Sequence, residues 1–305
     1  MEKLTTYNLQ LKKMLSKNWS KIIQSLHNKK NRRQEGLFFV EGAKNVLEAL
    51  NSDFVLEKLF VTEDFLNNSP LTPKGGTMQN TNVFKAPFGG LGAIRADLIE
   101  LATEKELIQA GTLQSNNATL AVFKMKENVL IYPENEFVLF LDNLQDPGNL
   151  GTIIRLCDWY NIKKIVCTPN TVDFYNPKTI AATMGSFTRV QVCYCAAQPF
   201  FDAIENISNG GNSHMIFPKI PIFGTFMEGE NVHQIDFGTD FTQDEKGNLV
   251  DISSGVIVMG NEANGISDEV VQYVTRKITI PRFGNAESLN VGVATAIILD
   301  NLRRK

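Results

Sequence analysis

Three apolar runs in the C-terminal half of the chain each stop at a polar, glycine-containing loop, and helix-like segments follow. Phe137-Val138-Leu139-Phe140-Leu141 leads into Asp142-Asn143-Leu144-Gln145-Asp146-Pro147-Gly148-Asn149-Leu150-Gly151. Val256-Ile257-Val258-Met259 leads into Gly260-Asn261-Glu262-Ala263-Asn264-Gly265. A third run ends at Ile280-Pro281, and a loop containing Gly284 leads to Ser288-Leu289-Asn290-Val291. Short continuous apolar runs bounded by turn residues suit strands buried on both faces. In open α/β sheets, ligands bind beyond the carboxyl ends of the strands. Three such loops predict one shared site.

Further strand-like runs fall at 164–167, 190–193, 215–217 and 277–280, with helix-like segments between most of them. This alternation predicts a largely parallel sheet covered on both faces. Val293, Ala294, Ile297 and Ile298 recur at helical spacing, so a buried helix is expected from Val291 to Leu299, with Ser288 in the N-cap place. Residues 218–255 depart from the pattern. They read as a hairpin-like insertion, 222–226 with 232–237, followed by a polar loop.

The first 126 residues alternate on a smaller scale and predict a compact α/β module. An amphipathic helix is expected over 16–31, with Trp19, Ile22, Ile23 and Leu26 on one face. Strands are expected at 37–40, 58–61, 83–85 and 118–125, helices at 43–50 and 98–109, and a loop over 67–81. Residues 127–136, with Pro133 and mixed polarity, read as a linker, and a second module occupies 137–305. A chain of 305 residues with a 43% hydrophobic fraction is long enough for two such cores.

The net charge of −3 is unevenly placed. Residues 1–45 carry ten Lys/Arg against three acids, a local charge of +7 that leaves −10 for the rest. A basic end of this density, with Lys29, Lys30, Arg32 and Arg33 at its centre, is a handle for phosphates. No run approaches the ~18 apolar residues of a membrane helix, and the first ten residues lack a signal-type apolar core. A cytoplasmic protein is expected. The four cysteines, Cys157, Cys167, Cys193 and Cys195, form no C-x-x-C pair and are remote in sequence from the three histidines, so no metal site is expected. Cys193 and Cys195 alternate along one strand and should be buried, reduced thiols.

Taken in order, the three loops resemble the three motifs of the SpoU/TrmH-type RNA ribose 2′-O-methyltransferases of the SPOUT superfamily. Motif one is seen in Asn149 to Arg155, motif two in Gly260 to Gly265 and motif three in Ile280 to Val291. Phe38-Phe39-Val40-Glu41-Gly42 is similar to the substrate-binding module that such enzymes carry at the N-terminus. The resemblance implies an α/β fold: a C-terminal parallel-sheet SPOUT domain tied in a deep trefoil knot, plus a small N-terminal RNA-binding domain. It also implies a homodimer with sites near the subunit interface. S-adenosyl-L-methionine is the implied cofactor, and the implied RNA is ribosomal before transfer RNA.

The resemblance assigns Gly260, Ile280 and Leu289 to cofactor contact, with Met259, Met184 and Gly185 as further candidates. It makes Arg155 the catalytic arginine. A guanidinium is not deprotonated in proteins, so Arg155 is expected to bind phosphate and stabilise alkoxide charge. Asn149 is expected to cap the helix that bears Arg155. Glu262 is expected to hold Arg155 in place, and Ser288 and Asn290 to hydrogen-bond the ribose and cofactor. Three positions depart from the family's habit: Gly292 stands where relatives often carry Ser, Ala263 where they often carry Gly, and Arg282 where an uncharged residue is usual. A catalytically silent RNA-binding scaffold is the rival reading. A nucleotide-dependent α/β enzyme has no support, since neither G-x-G-x-x-G nor G-x-x-x-x-G-K-[ST] occurs.

Overall fold

The computed structural model describes residues 15–68, 83–85, 93–133, 136–208, 220–235, 237, 242–243, 249–250 and 254–304. They group into two units, one within Met1–Lys126 and Tyr175–Thr188, the other within Glu127–Phe174 and Arg189–Lys305. The chain begins α1 (Lys17–Ser25), α2 (Lys29–Glu35), β1 (Leu37–Glu41), α3 (Ala43–Leu50), β2 (Leu56–Val61) and α4 (Glu63–Asn68). It continues β3 (Val83–Lys85), β4 (Ala93–Arg95), β5 (Ile99–Leu101), α5 (Glu104–Ala110) and β6 (Thr119–Lys124). Then come β7 (Phe137–Leu141), α6 (Pro147–Trp159), β8 (Lys164–Cys167), α7 (Pro177–Thr183), β9 (Gln191–Tyr194), α8 (Ala197–Ser208) and β10 (Ile222–Asn231). The last elements are β11 (Thr242–Gln243), β12 (Leu249–Val250), β13 (Gly255–Met259), α9 (Asp268–Val271), β14 (Arg276–Thr279) and α10 (Val291–Arg303).

The first unit is built on a four-stranded sheet ordered β1-β6-β2-β5, with β6 antiparallel to both its neighbours and β5 parallel to β2. Its core gathers Ile23, Leu26, Phe39, Phe60, Leu107 and Leu120. The single helix expected over 16–31 is two. The break falls at 26–28, where Asn28 accepts from the N–H of Lys30 and caps α2. Arg32 donates from Nη1 to the carbonyls of Leu26 and His27, at 2.8 and 3.0 Å, satisfying groups that the end of α1 leaves free. The helix expected over 98–109 is also divided. Ile99–Leu101 pairs with β2, and α5 starts only after Thr103, which forms a capping box with Glu106. Most of the loop expected over 67–81 and the strand expected over 215–217 lie outside the described residues.

The second unit is built on a six-stranded sheet ordered β14-β10-β13-β7-β8-β9, parallel at every pairing. β7, β8 and β13 are buried almost throughout, as strands covered on both faces must be. One side of the core stacks Phe140 on Phe200 and Phe201, at 5.3 and 4.9 Å between ring centres. The hairpin expected over 222–237 does not form. Ile222–Asn231 is one ten-residue strand, parallel to β13 through Ile222–Gly224 and to β14 at Phe223–Thr225 and again at Glu230–Asn231, with a register shift between the two stretches. The expected linker packs onto this unit: Asn128 exchanges two hydrogen bonds with the backbone of Tyr194, and Ile131 is buried. The four cysteines are free and buried, and burial pushes the Cys193 thiol up to about 11. Among the described residues, no helix is long and apolar enough to cross a membrane.

Candidate active site

Motif one begins where β7 ends. The N–H of Asp142 bonds the carbonyl of Met259 at 2.9 Å, so the ends of β7 and β13 are clamped side by side. The Asp142 side chain is 3% exposed, and its Oδ2 accepts from the N–H of Ser267 at 2.7 Å, fixing the far end of the motif-two loop. Asn143 turns the chain in the left-handed region, at φ 57°. Asp146 caps α6 by accepting from the N–H of Asn149 at 2.8 Å, and Pro147 occupies the first turn. The cap is therefore Asp146, not Asn149 as expected. Asn149 lies inside the first turn, where its carboxamide is free to reach out.

Motif two is a tight turn closed by mutual backbone hydrogen bonds between Asn261 and Gly265, at 2.8 and 3.0 Å. The Asn261 Oδ1 accepts from the N–H groups of Ala263 and Asn264, while its Nδ2 donates to the carbonyl of Asn143 at 2.7 Å. Gly260 makes the closure possible. A Cβ there would stand 2.3 Å from the Gly265 carbonyl carbon and 2.4 Å from the Ile266 nitrogen.

A run of side chains ties the three loops together. Asn149 donates from Nδ2 to Glu262 Oε1 at 3.0 Å. Asn290 donates from Nδ2 to Asn149 Oδ1, also at 3.0 Å. Asn290 Oδ1 accepts from the N–H of Gly292 at 2.9 Å and of Val293 at 3.4 Å, capping α10. The polarity is fixed at both ends, because a carboxylate only accepts and a backbone N–H only donates. Glu262 also meets the N–H groups of Gln145 and Asp146, at 3.4 and 3.5 Å. There, at the start of α6, the helix dipole favours negative charge.

Several expectations change here. Glu262 grips Asn149 and the motif-one backbone rather than Arg155. Arg155 sits six residues beyond Asn149, which places it about 120° around the helix. It is exposed, in one stripe with Thr152 and Trp159, and among the described residues it has no ion pair or hydrogen bond. Asn290, not Ser288, caps α10, and both ends of its carboxamide are already bonded. Ser288 is exposed. Val293, expected in the core, is 50% exposed, because the buried face of α10 runs through Val291, Thr295, Ile298 and Leu302.

Of the cofactor candidates, Gly260, Ile280 and Leu289 border the loops just described, Ile280 half-buried and Leu289 exposed. Met259 is buried, its carbonyl engaged by Asp142. Met184 and Gly185 end α7 in the first unit, both at positive φ, with Gly185 against Glu48. In that unit Lys30 and Arg33 are exposed and Lys29 is half-buried. Arg32, expected among the RNA-binding cations, is instead 1% exposed with its guanidinium capping α1, so it is not presented to phosphates. Sequence reasoning missed Asp142, Asp146 and Asn261. Asp146-Pro147 carried a readable signal, a capping residue followed by proline; the other two act through partners more than a hundred residues away.

Two family models match the chain: the SpoU rRNA Methylase family over residues 136–300, and the MRM3-like substrate binding domain over residues 18–87. The 23S rRNA (guanosine(2553)-2′-O)-methyltransferase RlmP of Bacillus subtilis is 28% identical over 288 residues, covering 94% of this chain and 95% of that protein. A TrmH-family protein from Porphyromonas gingivalis has a similar structure, with TM-score 0.72 and 29% identity over 95% of this chain and 98% of that one. So does the AdoMet-bound rRNA methyltransferase of Sinorhizobium meliloti, with TM-score 0.71 and 25% identity over 96% of this chain and 98% of that one. The first of these family models spans more than half of the residues and includes all three linked loops, and the chain belongs to the SpoU rRNA Methylase family.

Proposed function

We propose that the protein transfers a methyl group from S-adenosylmethionine to a ribose 2′-hydroxyl of RNA, with ribosomal RNA as the substrate. The observation that carries this reading is the bonded run Glu262–Asn149–Asn290, which joins the family's three motif loops beyond the ends of one parallel sheet. The activity named for the Bacillus subtilis relative and the cofactor named for the Sinorhizobium meliloti structure support it.

The loops suit that cofactor. Gly260 keeps motif two close-packed, Ile280 and Leu289 offer apolar surface, and the exposed segment between them offers backbone donors and acceptors. When bound, S-adenosylmethionine supplies an electrophilic methyl group on a sulfonium centre. The residues of the chain position the ribose and steady its charge. The ribose oxygen would take the methyl carbon as its bond to sulfur breaks, releasing S-adenosylhomocysteine and the hydroxyl proton to water, while Arg155 would stabilise the developing negative charge and hold the adjacent phosphate. Ser288 is the hydroxyl that contacts the ribose. Asn149, Glu262 and Asn290 are positioning residues that hold the loops in register. No metal enters the reaction.

Several finer features belong to the same proposal. Residues 1–126 form the RNA substrate-binding domain, 127–136 the connection, and 137–305 the transferase domain. That domain is knotted. β14 stands two places from β13 in the sheet, yet Asn290 beyond it reaches Asn149, a return of the chain that supports this reading. The protein acts in the cytoplasm as a homodimer, for which Trp159, 82% exposed, provides a surface.

The test uses tritiated S-adenosylmethionine and RNA from a strain lacking the gene. Label in a ribose of ribosomal RNA is the expected result. Label in transfer RNA alone would redirect the substrate. No transfer to either RNA, by protein that binds the cofactor, would leave the silent scaffold.

A further inference from the structure

Phe283 is 97% exposed. It lies in the segment between β14 and α10, whose two ends are both anchored. Thr279 bonds the carbonyl of Met227 at 3.1 Å, and Asn290 bonds Asn149 at 3.0 Å within the site. Arg282 beside it is exposed and curls onto the segment, donating from Nη1 to the carbonyl of Ala286 at 3.5 Å. On the other side is Gly284, where even an added Cβ would meet nothing within 4 Å. The ring is therefore accessible, flanked by a cation, on a segment fixed at the rim of the site.

A ribose hydroxyl must be brought to the site with its nucleotide, and an unpaired base exposes its π-face. Proteins that read single-stranded RNA place such bases on aromatic rings and hold the backbone with arginine. We propose that Phe283 is a stacking platform for an unpaired nucleobase adjoining the target ribose, and that Arg282 holds the phosphate next to it. This rests on the RNA methyltransferase reading above. It adds a specificity element: the target must lie in, or be opened into, a single-stranded context.

The experiment uses full-length protein and two fluorescein-labelled RNA 12-mers, one of mixed sequence and one with abasic riboses. Phe283→Ala should weaken binding of the mixed-sequence RNA about 5- to 100-fold and leave the abasic RNA unaffected. Phe283→Trp should keep the preference for bases, and Phe283→Leu, apolar but not aromatic, should lose it. Arg282→Gln should weaken both RNAs and flatten the salt dependence. In methyl transfer to ribosomal RNA, Phe283→Ala should raise KM for RNA more than it lowers kcat. Leucine equal to phenylalanine, or no difference between the two RNAs in the wild type, overturns the proposal. So does a shift from dimer to monomer in sedimentation with the base preference intact, which would make the ring a subunit contact. Failure of the wild type to methylate RNA at all, with the base preference in binding intact, would strike the enzymatic reading and not the stacking platform.

Discussion

Both ends of the Asn290 carboxamide have structural work, and the two can be separated. Its Oδ1 caps α10, and its Nδ2 holds Asn149. Asn290→Asp keeps a good cap but turns an oxygen toward the Asn149 oxygen, so folding should survive while the loops lose register. Methyl transfer should fall at least about tenfold, the cost of one hydrogen bond, with the urea midpoint near wild type. Asn290→Ala removes both contacts and should also destabilise by about 1 kcal/mol. Equal stability of the two variants in urea unfolding would mean the cap is unimportant. Arg155 belongs to another class of residue. Unengaged within the described chain, it can be removed without disturbing the loops, so Arg155→Ala should lose about 10²–10³ in rate with cofactor affinity unchanged. Arg155→Lys should rescue poorly, because an ammonium lacks the planar fork. Single-turnover assays at saturating RNA decide this, and near-normal turnover would take the role from Arg155. Asn149, Glu262 and Asn290 stood out in the sequence as candidates; Asp142, Asp146 and Asn261, and the hydrogen-bond partners of all six, did not. Glu262 and Arg155 looked like a pair because opposite charges usually find each other. The pitch of α6 instead turns Asn149 toward Glu262 and Arg155 away.

At the scale of elements, the sequence was readable wherever a segment's signal is local. β7 and β8 begin and end where their apolar runs predict, and β13 starts one residue before its run. β10 was misread because its partners are remote. Its neighbours β13 and β14 lie tens of residues downstream, and the glycines and charges near its end imitate a hairpin turn. The long N-terminal helix was misread for a similar reason. The apolar period stops at Leu26 while polar residues compatible with a helix continue, and the break is held by the Asn28 cap and by the buried guanidinium of Arg32, folded back onto the end of α1. Motif two is the element most sensitive to a single atom. Gly260→Ala would set a methyl group against backbone that is held by two hydrogen bonds, so the turn itself must move. The expected result is a loss of about 1–3 kcal/mol in stability together with loss of S-adenosylmethionine binding. Calorimetry on the variant checks both, and unaltered cofactor affinity would remove Gly260 from the cofactor site.

Across the whole molecule, charge and chemistry are divided between the two units. The linked loops of the site are in the second, and the strongest positive charge is in residues 1–45, at +7 against −3 for the chain. The structure sorts that basic cluster into two kinds. Arg32 is a buried cap, whereas Lys30 and Arg33 are exposed and Lys29 half-exposed on α2. Composition showed where the charge is concentrated but not which cations face solvent, because burial depends on how α2 folds back against α1. Replacing Lys29, Lys30 and Arg33 together by Gln should therefore leave the fold intact and weaken RNA binding. If all three contact single-stranded phosphates, the slope of log affinity against log salt should become shallower by about 2, at roughly 0.7 per phosphate. S-adenosylmethionine affinity should not change. Arg32→Gln should behave in the opposite way, lowering stability by about 2 kcal/mol through lost charged hydrogen bonds while altering the salt slope only as far as the fold is lost. Fluorescence anisotropy across a salt series, with urea unfolding of the same variants, measures both. An unchanged slope in the triple variant would move the RNA-binding surface away from α2.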